Sequence, residues 1–200
     1  PRADCGLVQM CISAGFKQCS NDGERAKKIL RSQAFYDIDQ LEWATNCLHQ
    51  TMTLISLGYY PAQICFPPIE TDIVYKPFMS SEIIESLDDD QINIYRDVYA
   101  MLIRPLIENE RPAMVGISVV QQKQLIPTFT FCKMIKEEFP GIHITLGGNI
   151  ITRIRDMLPR MESLWELFDS AIIYEGESAY LKLTEAVKNG ENFSSLPNLI

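Results

Sequence analysis

From Pro112 onward the chain alternates between short β-branched runs and segments whose apolar residues recur at helical spacing. The run Met114-Val115-Gly116-Ile117-Ser118-Val119-Val120 is almost continuously apolar, as expected of a strand covered on both faces. Leu125, Thr128, Phe129, Cys132, Ile135 and Phe139 then follow a helical repeat, with Pro127 tolerable in a first turn and Pro140-Gly141 as the stop. Ile142 to Leu146 predicts a second strand. A helical stretch follows over 150–167, interrupted at Pro159, then a third strand over 171–174. Ala179, Leu183 and Val187 mark a last helix closed by Asn189-Gly190. The strands start near Met114, Ile142 and Ser170, a spacing of 28 residues twice over. That is the cadence of consecutive βαβ units, whose strands are parallel.

Before Pro112 the pattern is mostly helical. Leu41, Ala44, Leu48, Thr51 and Ile55 recur at three and four residues behind Asp39 as N-cap, and Gly58 ends the run. Ser80 or Ser81 opens a short helix through Leu87, and Ile92, Tyr95, Tyr99, Leu102 and Leu106 mark a longer one that Pro112 terminates. Between them, 58–77 holds four prolines and little periodicity, a long connection of the kind that is often functional. Leu7 to Ser13 reads as a strand or as irregular chain. The expected division is a mostly helical part over 1–111 and a βαβαβα core over 112–200.

Composition narrows the function classes. With 46% hydrophobic and 22% charged residues, 200 residues can bury a full core. The net charge of −8 and the absence of a basic stripe argue against nucleic acid as a partner. No apolar stretch approaches the roughly 18 residues of a membrane span, and the start lacks a charged leader with an apolar core, so the reading is cytoplasmic, with no membrane partner. The beginning at Pro1 and the extended last residues read as part of a longer protein. Cys5, Cys11, Cys19, Cys47, Cys65 and Cys132 have no metal-site or cluster spacing, and Cys47 and Cys132 fall on apolar helix stripes as small hydrophobes. No metal ligand and no catalytic residue is assigned.

Parallel sheets take ligands at their carboxyl edge, which here carries 118–122, 146–149 and 174–178. The candidate binding residues are therefore Ser118, Val119, Gln121, Gln122, Gly147, Gly148, Asn149, Glu175, Gly176 and Glu177. Gly147-Gly148 reads either as a ligand floor or as a tight turn requiring positive φ. Ser118 is a ligand contact or a small packing residue. Glu175 and Glu177 flank a helix start, where carboxylates favour the dipole and cap amides. Gln121, Gln122 and Gln124 are loop amides or contacts to a ligand tail.

The succession Val115-Gly116-Ile117-Ser118, Gln124-Leu125-Ile126-Pro127, 136–140, Leu146-Gly147-Gly148 and Glu175-Gly176-Glu177 resembles the cobalamin-binding-like domain at the front of class B radical SAM enzymes. The likeness covers about 112–200. The helical part with Tyr59-Tyr60-Pro61 is similar to an insert of a subset associated with peptide natural-product maturation. The resemblance implies an α/β, flavodoxin-like (Rossmann-like) parallel sheet with helices on both faces, plus a helical N-terminal subdomain. It implies cobalamin as cofactor of a parent methyltransferase or related radical enzyme acting on a peptide or small-molecule substrate. The partner would be the parent's own radical SAM barrel after 200, with its [4Fe-4S] cluster and S-adenosylmethionine; this chain alone would catalyse nothing. The D-x-H-x-x-G cobalt-ligand motif is absent, since His49 and His143 sit inside a helix and a strand. The alternative is a domain without cobalamin that serves as a ligand or protein interaction module. A phosphoacceptor receiver fails because Gln121 stands where an Asp is needed, and no G-x-G-x-x-G supports a dinucleotide site.

Overall fold

The computed structural model describes residues 21–65 and 70–200, and the strand expected over Leu7 to Ser13 lies outside them. The chain forms two compact units that divide between Val74 and Tyr75.

In the first unit, α1 (helical over 21–30) packs on α2 (Ile38–Gly58) through Ala26, Ile29, Ala44 and Leu48. The N-cap of α2 is Asp37 rather than Asp39: the Asp37 side chain accepts from the Gln40 N–H at 3.2 Å. A 3-10 turn over Gln33–Tyr36 delivers the chain to Asp37 in extended geometry, which sets the cap two residues early. Within the proline-bearing connection, β1 (Gln63–Cys65) pairs antiparallel with β2 (Glu70–Asp72). The Ile64 N–H donates to Ser56 Oγ of α2 at 2.8 Å.

The second unit is α/β. β3 (Met114–Ser118), β4 (His143–Gly147) and β5 (Ser170–Ala171) form a parallel sheet in that order, with Met114 opposite His143, Ser118 opposite Gly147 and Leu146 opposite Ala171. β5 is shorter than the expected third strand: past Ala171 the chain pairs with the C-terminal segment at Ile173, and Tyr174 at φ 61 ends the extended run. The outer edge of β5 is covered by 198–200, through reciprocal Ala171–Ile200 backbone hydrogen bonds of 2.9 Å. α6 (Leu125–Glu138) covers one face with Phe129, Cys132 and Ile135, all essentially inaccessible. The stretch expected as one helix over 150–167 breaks into α7 (Asn149–Ile154), a 3-10 turn at Leu158–Arg160 around Pro159, and α8 (Glu162–Trp165). α9 (Glu177–Asn189) takes the opposite face, where Ala179 and Leu183 pack with Ile172 and Met114. Gly190 ends it in the left-handed region at φ 69.

α3 (Ser80–Leu87) and the helix over 95–110 belong with this sheet and not with the N-terminal helices, because they pack on α6. That helix consists of α4 (Tyr95–Val98), a π-helical turn Tyr99–Ile103, and α5 (Arg104–Glu110). Pro105 has no N–H for the Met101 carbonyl, and the ladder widens so that the Arg104 N–H reaches the Tyr99 carbonyl. The Asp88-Asp89-Asp90 run is resolved pairwise: Asp88 meets Lys133, Asp90 meets Arg96, and Asp89 accepts from the Gln91 and Ile92 amides and the Tyr75 hydroxyl.

Two buried polar groups here have opposite standing. Asn93, 1% exposed, donates to the Ser86 carbonyl (2.8 Å) and Thr130 Oγ1 (2.9 Å) and accepts from the Tyr95 N–H (3.1 Å). Tyr99 is fully buried with its hydroxyl unpartnered, and burial pushes that hydroxyl up to about 12. Asn93→Ala is expected to cost about 2–3 kcal/mol by removing three hydrogen bonds at a buried site, whereas Tyr99→Phe is expected to be neutral or to stabilise by about 1 kcal/mol. Urea denaturation of both variants measures this; a Tyr99→Phe variant destabilised as much as Asn93→Ala contradicts it.

Candidate functional site

Side chains alternate across the sheet, so Met114, Gly116 and Ser118 of β3 share a face with His143, Thr145 and Gly147 of β4. This is the face that α9 covers. The apolar contacts of α9 reach Met114 at the amino end of β3 and Ile172 just after β5, and the carboxyl ends of β3 and β4 stay open. A cleft of about 390 Å³ lies there. Its floor is Gly116, Ser118, Thr145, Gly147 and Gly148, and its far wall is built by Ile172, Tyr174, Gly176, Glu177 and Tyr180. The volume sits in the lower part of the about 300–1,000 Å³ typical of small-molecule sites.

The glycines of the floor have different reasons to be glycine. Gly148 turns at φ 97, and a Cβ there would stand 2.6 Å from the Val119 carbonyl oxygen and 2.8 Å from the Val119 nitrogen. The backbone explains the crowding: the Val119 N–H donates to the Gly147 carbonyl at 2.7 Å and the Ile150 N–H donates to the Val119 carbonyl at 3.0 Å. The restriction expected of Gly147-Gly148 as a pair therefore rests on Gly148 alone, since a Cβ on Gly147 would find only the Ile172 carbonyl at 3.7 Å. At Gly116 the obstruction is an aromatic side chain. The Tyr180 ring lies 2.9 Å from where the Cβ would be.

Of the ten residues named from sequence, Ser118, Gly147, Gly148, Gly176 and Glu177 line the cleft. Val119 is fully buried beneath it, and its backbone ties the β4–α7 turn in place. Gln121 and Gln122 are exposed on the loop after β3, where Gln124 Oε1 accepts from the Val120 and Gln121 amides (2.7 and 2.9 Å). Asn149 is the exposed first residue of α7. Glu175 is exposed, and its carbonyl accepts from Asn198. Glu177 occupies the first turn of α9, where a carboxylate complements the helix dipole.

Sequence reasoning missed Gly116, Thr145, Tyr174 and Tyr180. For Gly116 and Thr145 a signal existed: a glycine within a β-branched run and a hydroxyl within Ile-Thr-Leu interrupt strands otherwise written for burial. Thr145 is 2% exposed with its Oγ1 unpartnered. Tyr174 fell within the edge segment 174–178 without being singled out, and Tyr180 carried no mark, because only the placement of α9 brings it to the cleft. Tyr174 is held at φ 61 by its N–H donating to Thr152 Oγ1 (2.9 Å), with the Arg155 guanidinium 5.5 Å above its ring.

His143 lies at the amino end of β4, with Nε2 2.9 Å from Ser170 Oγ and its ring edge-on to Phe193. Cys132 is sealed under the opposite face, and burial pushes its thiol up to about 12; Cys47 is half-buried against the α1–α2 cluster, and Cys65 is exposed. Cys5, Cys11 and Cys19 lie outside the described residues. Among the described residues, no three His, Cys, Asp or Glu side chains are grouped to hold a metal ion, and no helix is long and apolar enough to cross a membrane. No protein-family model matches the chain, and neither a curated protein nor a solved structure matches it.

Two outcomes follow from this geometry. Gly148→Ala is expected to cost about 2 kcal/mol or more, from a left-handed φ plus backbone collision, whereas Gly147→Ala should leave stability unchanged or raise it by up to about 1 kcal/mol. Thermal and urea unfolding of the two variants decide it, and equal losses would remove the distinction. Burial holds the His143 imidazole below its ordinary value of 6.5, against the opposing pull of the Asp169 carboxylate. The unfolded chain therefore takes up this proton first, so the associated stability is present above about pH 6.5 and is lost as pH falls through the folded value. An NMR titration of the His143 ring should give a midpoint below 6.5; a midpoint at or above it contradicts the burial argument.

Proposed function

We propose that this chain is a flavodoxin-like, cobalamin-binding-like module of a radical SAM enzyme. The observation that supports the reading is the convergence of three successive strand ends of one parallel sheet on a single cleft with glycine on its floor. A flat cofactor needs to come close to backbone, and Gly147 presents no side chain to it, while Gly116 lies beneath the Tyr180 ring. Ser118 adds an exposed hydroxyl, and Thr145 a buried one without a partner. These residues fit a largely uncharged, planar group. The cleft has room for part of a corrinoid and not the whole, so the barrel of the parent protein is the natural cover for the remainder.

In this reading Ser118, Thr145, Gly147 and Gly176 hold the cofactor, while Tyr174 and Tyr180 flank it and exclude water. A bound corrinoid would supply methyl transfer or related radical chemistry to the parent enzyme. A cobalt ligand from this chain is not part of the proposal: His143 stands at the amino end of β4, engaged with Ser170, and His49 lies within α2. A domain without cobalamin, using the same cleft to dock a ligand or a partner, is the outcome to be distinguished from it.

Titration with hydroxocobalamin, followed by visible absorbance, separates the two. Saturable binding is expected, with the same spectrum and affinity in His49→Ala and His143→Ala, and with at least a tenfold loss in Gly147→Leu. Loss of binding in a folded histidine variant would overturn the ligand argument. Absence of saturable binding by the chain and by the protein that contains it would favour the interaction module.

A further inference from the structure

We infer that Thr145 is the specificity-determining residue of the cleft, where its hydroxyl hydrogen-bonds one polar atom on the edge of an otherwise apolar, uncharged ring. The inference rests on the cleft being a ligand site, and it does not depend on that ligand being a corrinoid.

Thr145 is 98% withdrawn from solvent, and its Oγ1 has neither donor nor acceptor. Its surroundings explain why. In register it stands opposite Gly116 on one side, which has no side chain, and opposite Ser170 on the other, whose hydroxyl is engaged with His143 Nε2. Two residues along β4, Gly147 offers nothing either. A buried hydroxyl left in this state costs free energy that a single incoming partner recovers. The cleft is where that partner can arrive, since Thr145 lines it.

The remaining walls define the rest of the ligand. Ile172 is aliphatic, and Tyr174 and Tyr180 present rings, so the body of the ligand is apolar and flat. Glu177 at the rim disfavours an anion. With Tyr180 already lying over Gly116, an entering ring stacks on Tyr180 or displaces it, which brings the ring edge toward the residue opposite Gly116. That residue is Thr145.

The test uses two rings of the same shape, benzimidazole and its all-carbon analogue indene, titrated against the chain at pH 7.5. The amide signals of Gly116, Gly147 and Gly148 report binding by NMR. Benzimidazole is expected to bind about fivefold or more tightly than indene, the worth of one hydrogen bond. Thr145→Val should erase the difference while melting at or above the wild-type temperature, and Thr145→Ser should keep it. The inference is overturned by discrimination that survives in Thr145→Val, by amide signals that neither ring moves, or by a fall in melting temperature of Thr145→Val, which would mean the hydroxyl already has a partner. Failure of the hydroxocobalamin titration with discrimination intact removes the corrinoid reading alone, and the reverse result removes the role of Thr145 alone.

Discussion

The approach of the Gly148 backbone to Val119 is the constraint from which the open half of the sheet follows. With 2.6 Å between a would-be Cβ and the Val119 carbonyl oxygen, no side chain fits at that position. The chain can therefore turn at once from β4 into α7, and the Ile150 amide closes the turn on the Val119 carbonyl. A longer or bulkier connection would fold over the strand ends and fill the cleft. The turn is fixed by backbone hydrogen bonds from a neighbouring strand, so the floor keeps its shape without help from side chains, which leaves Gly147 free to stay bare.

Topology decides which face carries the cleft. Three parallel strands in sequence order, joined by right-handed crossovers, send α6 and the α7–α8 segment to one face. That face becomes a dense core around Phe129, Ile144 and Leu146. α9 is the first element to cross to the other face, where its apolar residues pack on Met114 and Ile172 and leave the carboxyl ends of β3 and β4 uncovered. Beyond that it contributes Tyr180, a residue with an apolar ring and a polar tip suited to a half-open boundary.

Much of this was legible in the chain. The starts of β3, β4 and β5, the span of α6 and the glycine stop of α9 follow from apolar period and from where proline and glycine fall. What could not be read depended on partners distant in sequence. Tyr174 looks like the last residue of a β-branched strand, yet Thr152 and Arg155 of another segment hold it in the left-handed region. The pair β1 and β2 was hidden because its strands are three residues long, too short to show a period. The π-helical turn had a signal that went unused: Pro105 falls in the interior of the helix expected from Ile92 to Leu106, where its missing N–H disturbs the ladder. Among the floor residues, Gly147 and Gly148 are indistinguishable as letters, and only the neighbouring Val119 backbone tells them apart.

The rim of the cleft traces back to the same turn as its floor. α7 begins at Asn149, directly after Gly148, and the Thr152 amide donates to the Gly148 carbonyl at 3.1 Å. Thr152 then offers its hydroxyl to the Tyr174 amide, and Arg155, one residue beyond α7, lies over the Tyr174 ring. A non-glycine residue in the left-handed region is retained only where its surroundings over-determine it. Here both restraints come from the helix that Gly148 launches. A ligand pressing on Tyr174 would therefore be felt at Gly148 through two hydrogen bonds, which couples the wall of the cleft to its floor.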